Sequence, residues 1–232
     1  MPAAAPPPSS RGAILFDLDG TLVDTLPDLA GAANAFLAQH GRPRLAVERV
    51  QAMVGDGLLA LAARVIAAGG IRPAGPEEAA RHALRFRALY EARGHRGSAL
   101  YPGVAETLAR LAEAGFALAV CTNKTEAMAA QLLDQLGIGG RFATVGGSDS
   151  FGARKPDRAH VQGMLDRLGQ PPARALMVGD SANDVRAASG AGVRCIVVAY
   201  GYGLQGALAA GPETVIKAFD ELPALAAGLL PA

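Results

Sequence analysis

Short apolar runs and longer helical stretches alternate along most of this chain. Runs near 13–17, 116–121, 142–145, 175–179 and 194–198 have strand length and are bounded by Gly or polar residues. They are near-continuous apolar runs rather than alternating ones, as expected of strands covered on both faces. Between them lie helical patterns near 103–114, 125–136, 157–168 and 181–189, followed by Gly115, Gly137, Gly169 and Gly190, where left-handed C-terminal caps are expected. Repeated strand–helix units predict an α/β chain with a doubly wound parallel sheet. The interval 24–98 breaks the alternation, with helical patterns near 25–40, 46–53, 58–68 and 76–93 and no strand signal. We therefore expect a flexible tail over 1–10, a core over 11–23 and 99–232, and a helical cap domain over 24–98 inserted after the first strand.

Composition narrows the class. A chain of 232 residues, half of them hydrophobic, can build a core, and a formal net charge of +1 argues against a protein that works by neutralising nucleic-acid phosphates. Small solutes are the better expectation. Cys121 and Cys195 are too sparse for a disulfide framework and suit a reducing cytoplasm. No apolar run approaches the ~20 residues that span a bilayer. Met1 to Ser10, with its Pro6-Pro7-Pro8-Ser9-Ser10 stretch, lacks the features of a signal peptide. The interval 24–98 carries ten Arg against seven acidic residues, whereas the remainder has twelve basic and fourteen acidic. A positive lid over a negative site fits that split; a solvated helix face fits Arg81, Arg85, Arg87, Arg93 and Arg96 as well.

Two of the apolar runs end in carboxylates: Ile14-Leu15-Phe16-Asp17-Leu18-Asp19-Gly20-Thr21 and Val178-Gly179-Asp180-Ser181. Ligands of open α/β sheets bind outside the strands' carboxyl ends, so the three aspartates should meet at one edge. Two unit negative charges ~4 Å apart repel by roughly 4 kcal/mol at an effective dielectric near 20. Three such groups need a cation, and oxygen-only ligands favour Mg²⁺. Asp17 and Asp19 can serve one site only if the chain turns there, which Gly20 permits. One carboxylate can then attack phosphorus to form an acyl phosphate, while the other protonates the leaving alkoxide and later deprotonates water. Asp17, which ends the strand, is the candidate nucleophile and Asp19 the acid/base. A general acid so placed speaks against carbon–halogen cleavage, because a halide leaves without a proton.

Thr122-Asn123 before the 125–136 helix offers a hydroxyl and backbone N–H groups to an anion, although Thr122 or Thr125 acting as an ordinary helix cap would explain the same residues. Lys155, one of three lysines beside nineteen arginines, supplies a compact charge suited to a phosphoryl oxygen. Other signals fail. Lys124-Thr125 lacks the glycines of a P-loop, and Asn123-Lys124-Thr125 is a glycosylation acceptor without a secretory signal. His40, His82, His95 and His160 show no metal-ligand spacing and are expected at the surface.

Phe16-Asp17-Leu18-Asp19-Gly20-Thr21-Leu22-Val23-Asp24-Thr25 resembles the first motif of the haloacid-dehalogenase-like hydrolase superfamily. Three further stretches follow in that family's order: Thr122 in Val120-Cys121-Thr122-Asn123-Lys124, Lys155 in Arg154-Lys155-Pro156, and Gly179-Asp180-Ser181-Ala182-Asn183-Asp184. The resemblance covers nearly the whole chain. It implies a Rossmann-like core with a helical cap, Asp17 as nucleophile, Asp19 as acid/base, and Gly20, Thr122, Asn123 and Lys155 around the phosphate. It also implies Mg²⁺ held by the Asp17 carboxylate, the Asp19 main-chain carbonyl and the Asp180 carboxylate, with Ser181 and Asp184 in support. Within the superfamily, Cys121-Thr122-Asn123-Lys124, the stretch from Met177 to Val185 and Ala199-Tyr200-Gly201-Tyr202-Gly203 are most similar to bacterial phosphoglycolate phosphatases. Val54-Gly55-Asp56-Gly57 is similar to a cap turn that faces the active site in such enzymes, making Gly55, Asp56 and Gly57 candidate substrate residues; a plain interhelical turn reads equally well.

The implied activity is Mg²⁺-dependent hydrolysis of a small phosphate monoester, 2-phosphoglycolate first, through an aspartyl phosphate. The alternatives are a phosphatase for another organic or sugar phosphate, a phosphoglucomutase-type mutase, or a non-enzymatic aspartate-phosphorylated receiver domain. The implied partner is a small phosphorylated metabolite rather than nucleic acid or membrane, with the chain a monomer or homodimer.

Overall fold

In the computed structural model, which describes residues 11–230, the chain begins with β1 (Gly12–Phe16) and β2 (Val23–Asp24), then α1 (Leu26–Gln39), α2 (Val47–Gln51), α3 (Leu58–Ala68) and α4 (Pro76–Ala92). It continues through β3 (Ala99–Leu100), α5 (Val104–Glu113), β4 (Phe116–Cys121), α6 (Glu126–Gln135), β5 (Thr144–Gly146), α7 (Arg158–Leu168) and β6 (Ala175–Gly179). It closes with α8 (Ala182–Gly190), β7 (Arg194–Val198), α9 (Leu204–Ala209), β8 (Thr214–Ile216) and α10 (Leu222–Leu229). The tail expected over 1–10 lies outside the described residues. The chain divides into two compact units: Asp24–Ala99, and the residues up to Val23 joined with those from Leu100 onward.

The larger unit is the doubly wound α/β fold, a six-stranded parallel sheet in the order β5-β4-β1-β6-β7-β8. The chain steps outward from β1 through β4 to β5, returns across β1 to β6, and steps outward again to β8. The reversal falls between β1 and β6, where the doubly wound fold leaves a crevice for ligand. Period-two alternation sends Ile14, Phe16, Leu118, Val120, Leu176 and Val178 to one face, and Ala13, Leu15, Ala117, Ala119 and Met177 to the other. The first face packs on Leu108 and Leu111 of α5, Leu132 of α6 and Leu222 of α10. The second packs on Val161, Met164 and Leu165 of α7 and Val185 of α8. Each fully buried Leu, Ile or Phe contributes about 1.5–3 kcal/mol over its exposed state, so β1, buried at every position, is held rigidly up to its last residue.

Three readings need correction. β8, α9 and α10 lie beyond the last expected strand. β8 has only three residues, two of them half-exposed at the sheet edge, too short and too mixed to register as a buried strand. Gly190 remains inside α8, and Gly192, with φ 73°, takes the left-handed conformation after it. His95 and His160 are buried rather than at the surface. His160 falls on the apolar stripe of α7 with Val161, Met164, Leu165 and Leu168, and its ring lies 5.6 Å from that of Phe151.

The smaller unit contains α1–α4 around Phe36, Phe86 and Tyr90, with the Phe36 and Phe86 rings 6.1 Å apart edge to face. Pro27 and Pro76 sit in the first turns of α1 and α4, where a missing N–H costs nothing. Asp28, fully buried on α1, accepts from Arg93 Nε at 3.0 Å, Gly97 N at 2.9 Å and Ser98 Oγ at 2.8 Å, which ties the end of the unit to its beginning. Arg85 Nε donates to Gln39 Oε1 at 2.8 Å and Arg87 Nε to Glu91 at 2.7 Å. At least these three arginines therefore have work inside the unit.

Candidate active site

The pairing of β1 with β6 sets Phe16 beside Val178, so Asp17 and Asp180 emerge from neighbouring strand ends. The Asp17 amide continues the ladder by donating to Val178 O at 2.9 Å. The chain then turns sharply: Leu18 O accepts from the amides of Thr21, Leu22 and Val23 at 3.3, 3.1 and 3.0 Å. Gly20 holds φ 89°, and a Cβ there would lie 2.6 Å from Asp180 Oδ2. A Cβ at Gly201 would come within 2.2 Å of the Asp180 Cβ. Only glycines let both loops close on that carboxylate. Asp17, Asp180 and Asp184 each bring a carboxylate oxygen within 4.8 Å of the others.

Lys155, fully buried, meets Asp17 Oδ1 at 2.9 Å and Asp184 Oδ1 at 2.6 Å, and donates to Cys121 O at 2.6 Å. Its three donors are thereby committed. Asp184 turns its other oxygen to the amides of Asp180 and Ser181 at 3.2 and 3.0 Å and to Ser181 Oγ at 2.7 Å, binding the start of α8 to the site. Asp180 Oδ2 accepts from the amides of Tyr202 at 2.6 Å and Gly203 at 3.3 Å.

The electrostatics record a surplus of negative charge. Burial lifts the Asp17 carboxyl to about 6, Lys155 pulls it back, and Asp184 and Asp19 add to the rise. Burial, then Asp184 and Asp17, push Asp180 well above the ordinary carboxylate range. For Lys155, burial works against the charged form, but Asp17 and Asp184 outweigh it and hold the ammonium above its usual value. Burial pushes the Cys121 thiol up to about 12, which leaves it inert. A second cation would relieve Asp17 and Asp180, and the all-oxygen donor set fits a hard divalent ion.

Asp19, on the turn, is gripped by Lys124, whose Nζ donates to Oδ1 and Oδ2 at 3.0 and 3.2 Å. Thr122 ends up buried beyond β4, and its Oγ1 accepts from Lys124 N at 3.2 Å. Thr125, the N-cap residue of α6, makes no side-chain capping bond. Asn123 Nδ2 donates to Lys155 O at 2.9 Å and couples the two loops.

A family model for haloacid dehalogenase-like hydrolases matches residues 12–192. The chain belongs to that family. Over 210 residues it is 43% identical to a phosphoglycolate phosphatase of Caulobacter vibrioides, covering 90% of this chain and 88% of that one. The crystal structure of a predicted phosphoglycolate phosphatase from Haemophilus somnus superposes with a TM-score of 0.87 at 31% identity, covering 92% of this chain and 97% of that one. CbbY from Rhodobacter sphaeroides, solved in complex with xylulose-(1,5)bisphosphate, superposes with a TM-score of 0.75 at 30% identity over 91% and 96% of the two chains.

Members of this family generally use Mg²⁺, and the structure gathers Asp17, Asp19, Gly20, Thr122, Asn123, Lys155, Asp180, Ser181 and Asp184 in one unit at one sheet edge. Gly55, Asp56 and Gly57 belong to the other unit. There they form the turn into α3, with Gly55 and Gly57 at φ 127° and 86° and Asp56 paired with Arg64, whose Nη1 also holds Met53 O at 2.7 Å. Sequence reading missed Lys124 as a site residue, along with the Tyr202 and Gly203 amides. Lys124 stood in a quoted motif, but its partner is 105 positions away. No helix among the described residues is long and apolar enough to cross a membrane.

Proposed function

We propose that this hydrolase cleaves 2-phosphoglycolate to glycolate and phosphate, with Mg²⁺ bound by Asp17, the Asp19 main-chain carbonyl and Asp180. The convergence of Asp17, Asp180 and Asp184 around the single ammonium of Lys155 carries the reading, and the relatives named phosphoglycolate phosphatase support the substrate. The Asp17 carboxylate attacks phosphorus and forms an aspartyl phosphate. Lys155, in contact with Asp17, spreads the negative charge that gathers on the phosphoryl group. Asp19 delivers a proton to the departing glycolate oxygen, then takes one from the water that cleaves the aspartyl phosphate. Thr122 and Asn123 hold the phosphoryl oxygens through hydroxyl and amide donors. Asp184 keeps Lys155 and the α8 start in place. Mg²⁺ bound there would supply positive charge to the phosphoryl group. Two buried free cysteines suit a cytoplasmic enzyme.

Phosphate release from a panel of phosphorylated acids, sugars and sugar bisphosphates, with Mg²⁺ and with a chelator, tests the reading. 2-Phosphoglycolate should show the highest kcat/KM, and chelation should abolish turnover. A preference for a sugar bisphosphate, the ligand class solved with CbbY, would replace the substrate; persistence of an acyl phosphate without turnover would replace the activity.

A further inference from the structure

Lys155 has no donor to spare, since Asp17, Asp184 and Cys121 O take all three. The buried cation facing the acid/base is Lys124, 6% exposed, on the loop beyond β4 with Thr122. An ammonium withdrawn from water needs an anion beside it, and Lys124 meets both oxygens of Asp19 at 3.0 and 3.2 Å. Two of the chain's three lysines thus stand at one sheet edge, on two different carboxylates.

The place of Asp19 says what Lys124 can reach. To protonate the leaving group, a carboxyl must come within about 2.5–3.0 Å of the ester oxygen. In phosphoglycolate the carboxylate hangs on the carbon that bears that oxygen, so its own oxygens lie only about 3 Å from it by ordinary bond lengths. A cation that grips Asp19 is therefore within reach of the substrate carboxylate. A compact ammonium on a flexible stem can divide its three donors between two carboxylates, where a planar guanidinium would favour one.

Resting on the phosphoglycolate reading above, we propose that Lys124 is a specificity-determining residue that binds the substrate's carboxylate while still holding Asp19. Selection for a carboxylate on the carbon next to the phosphoester then lies in the core, beside the chemistry.

The test compares 2-phosphoglycolate with its neutral amide, which has the same skeleton without the charge. Wild type should favour the acid through KM. Lys124→Gln should raise KM for the acid about 10- to 100-fold, the range for losing a hydrogen bond to a charged group, and collapse the acid-to-amide ratio of kcat/KM. Lys124→Arg should keep part of the ratio. An unchanged ratio with kcat lowered equally for both substrates would make Lys124 only a support for Asp19 and overturn the inference. Should the Gln variant fail to fold, Lys124→Arg decides: a KM change confined to the acid supports the inference, and equal changes overturn it. A wild type indifferent to the carboxylate overturns the phosphoglycolate reading itself, whereas a wild-type preference that survives Lys124→Gln overturns this inference alone.

Discussion

Both units bury carboxylates, and they balance them differently. In the helical unit Asp28 is one anion facing one cation, Arg93, with Gly97 N and Ser98 Oγ completing its hydrogen bonds. In the sheet unit three carboxylates crowd within 4.8 Å around one lysine. Buried acids are thus no sign of a site in themselves. A balanced, fully bonded acid fastens a fold; a surplus of like charge at a sheet edge holds the folded state in readiness for a cation and a phosphate.

That contrast can be broken most sharply at Asp17. Asp17→Asn should lower kcat by at least about 10⁴-fold, roughly 5.5 kcal/mol of barrier, with bound Mg²⁺ and substrate still detectable. Because burial holds this carboxyl at about 6, the native state binds more protons than the unfolded chain between about pH 4 and 6, and stability falls as pH rises through that window. The metal-free Asn variant should consequently unfold later than wild type above pH 6. A lower melting temperature there would deny the charge surplus. Asp28→Ala should act in the opposite direction, losing about 3 kcal/mol of stability by stranding Arg93, Gly97 N and Ser98 Oγ. A urea-unfolding loss under about 1 kcal/mol would make the Asp28 cluster ornamental.

His160 offers a neutral counterpart to these acids. Burial first, and then the Lys155 charge, lower its pKa to about 4 from 6.5. The unfolded chain therefore takes up the proton first, and the His160 contribution, complete above pH 6.5, is lost as pH falls to 4. Two and a half units correspond to about 3 kcal/mol. Asp17 works in the opposite sense over part of that range, so the measurement is the difference in unfolding free energy between wild type and His160→Leu. A pH-independent difference would refute the assignment. The smallest effect belongs to the cap turn: Gly57 holds φ 86°, and Gly57→Ala should cost about 1 kcal/mol of stability. Equal loss of activity toward phosphoglycolate and an aryl phosphate would mark the turn as structural, while a KM change confined to phosphoglycolate would give it a share in substrate choice.

The carboxylates were legible because their chemistry is local. A buried strand ending in Asp17, then Asp19 and Gly20, is a pattern of adjacent residues, and the fold class follows from the alternation of strand and helix periods. Gly20 announced a turn, though not that the space it leaves is filled by Asp180. The short edge strand β8 went unseen because it has only three residues, two of them half-exposed, and its one strong requirement is a neighbour to pair with. His160 looked like a surface polar residue until α7 placed it on the apolar stripe. By itself the sequence determined the α/β alternation, the helical run after the first strand and the strand-end acids, since these depend on periodicity and on residues close in the chain. Tertiary structure alone decided that Lys155 serves Asp17 and Asp184, that Lys124 holds Asp19 across 105 positions, and that Asp28 is balanced by Arg93 across 65. Charge pairing depends on distance in space, and only the folded chain sets that distance.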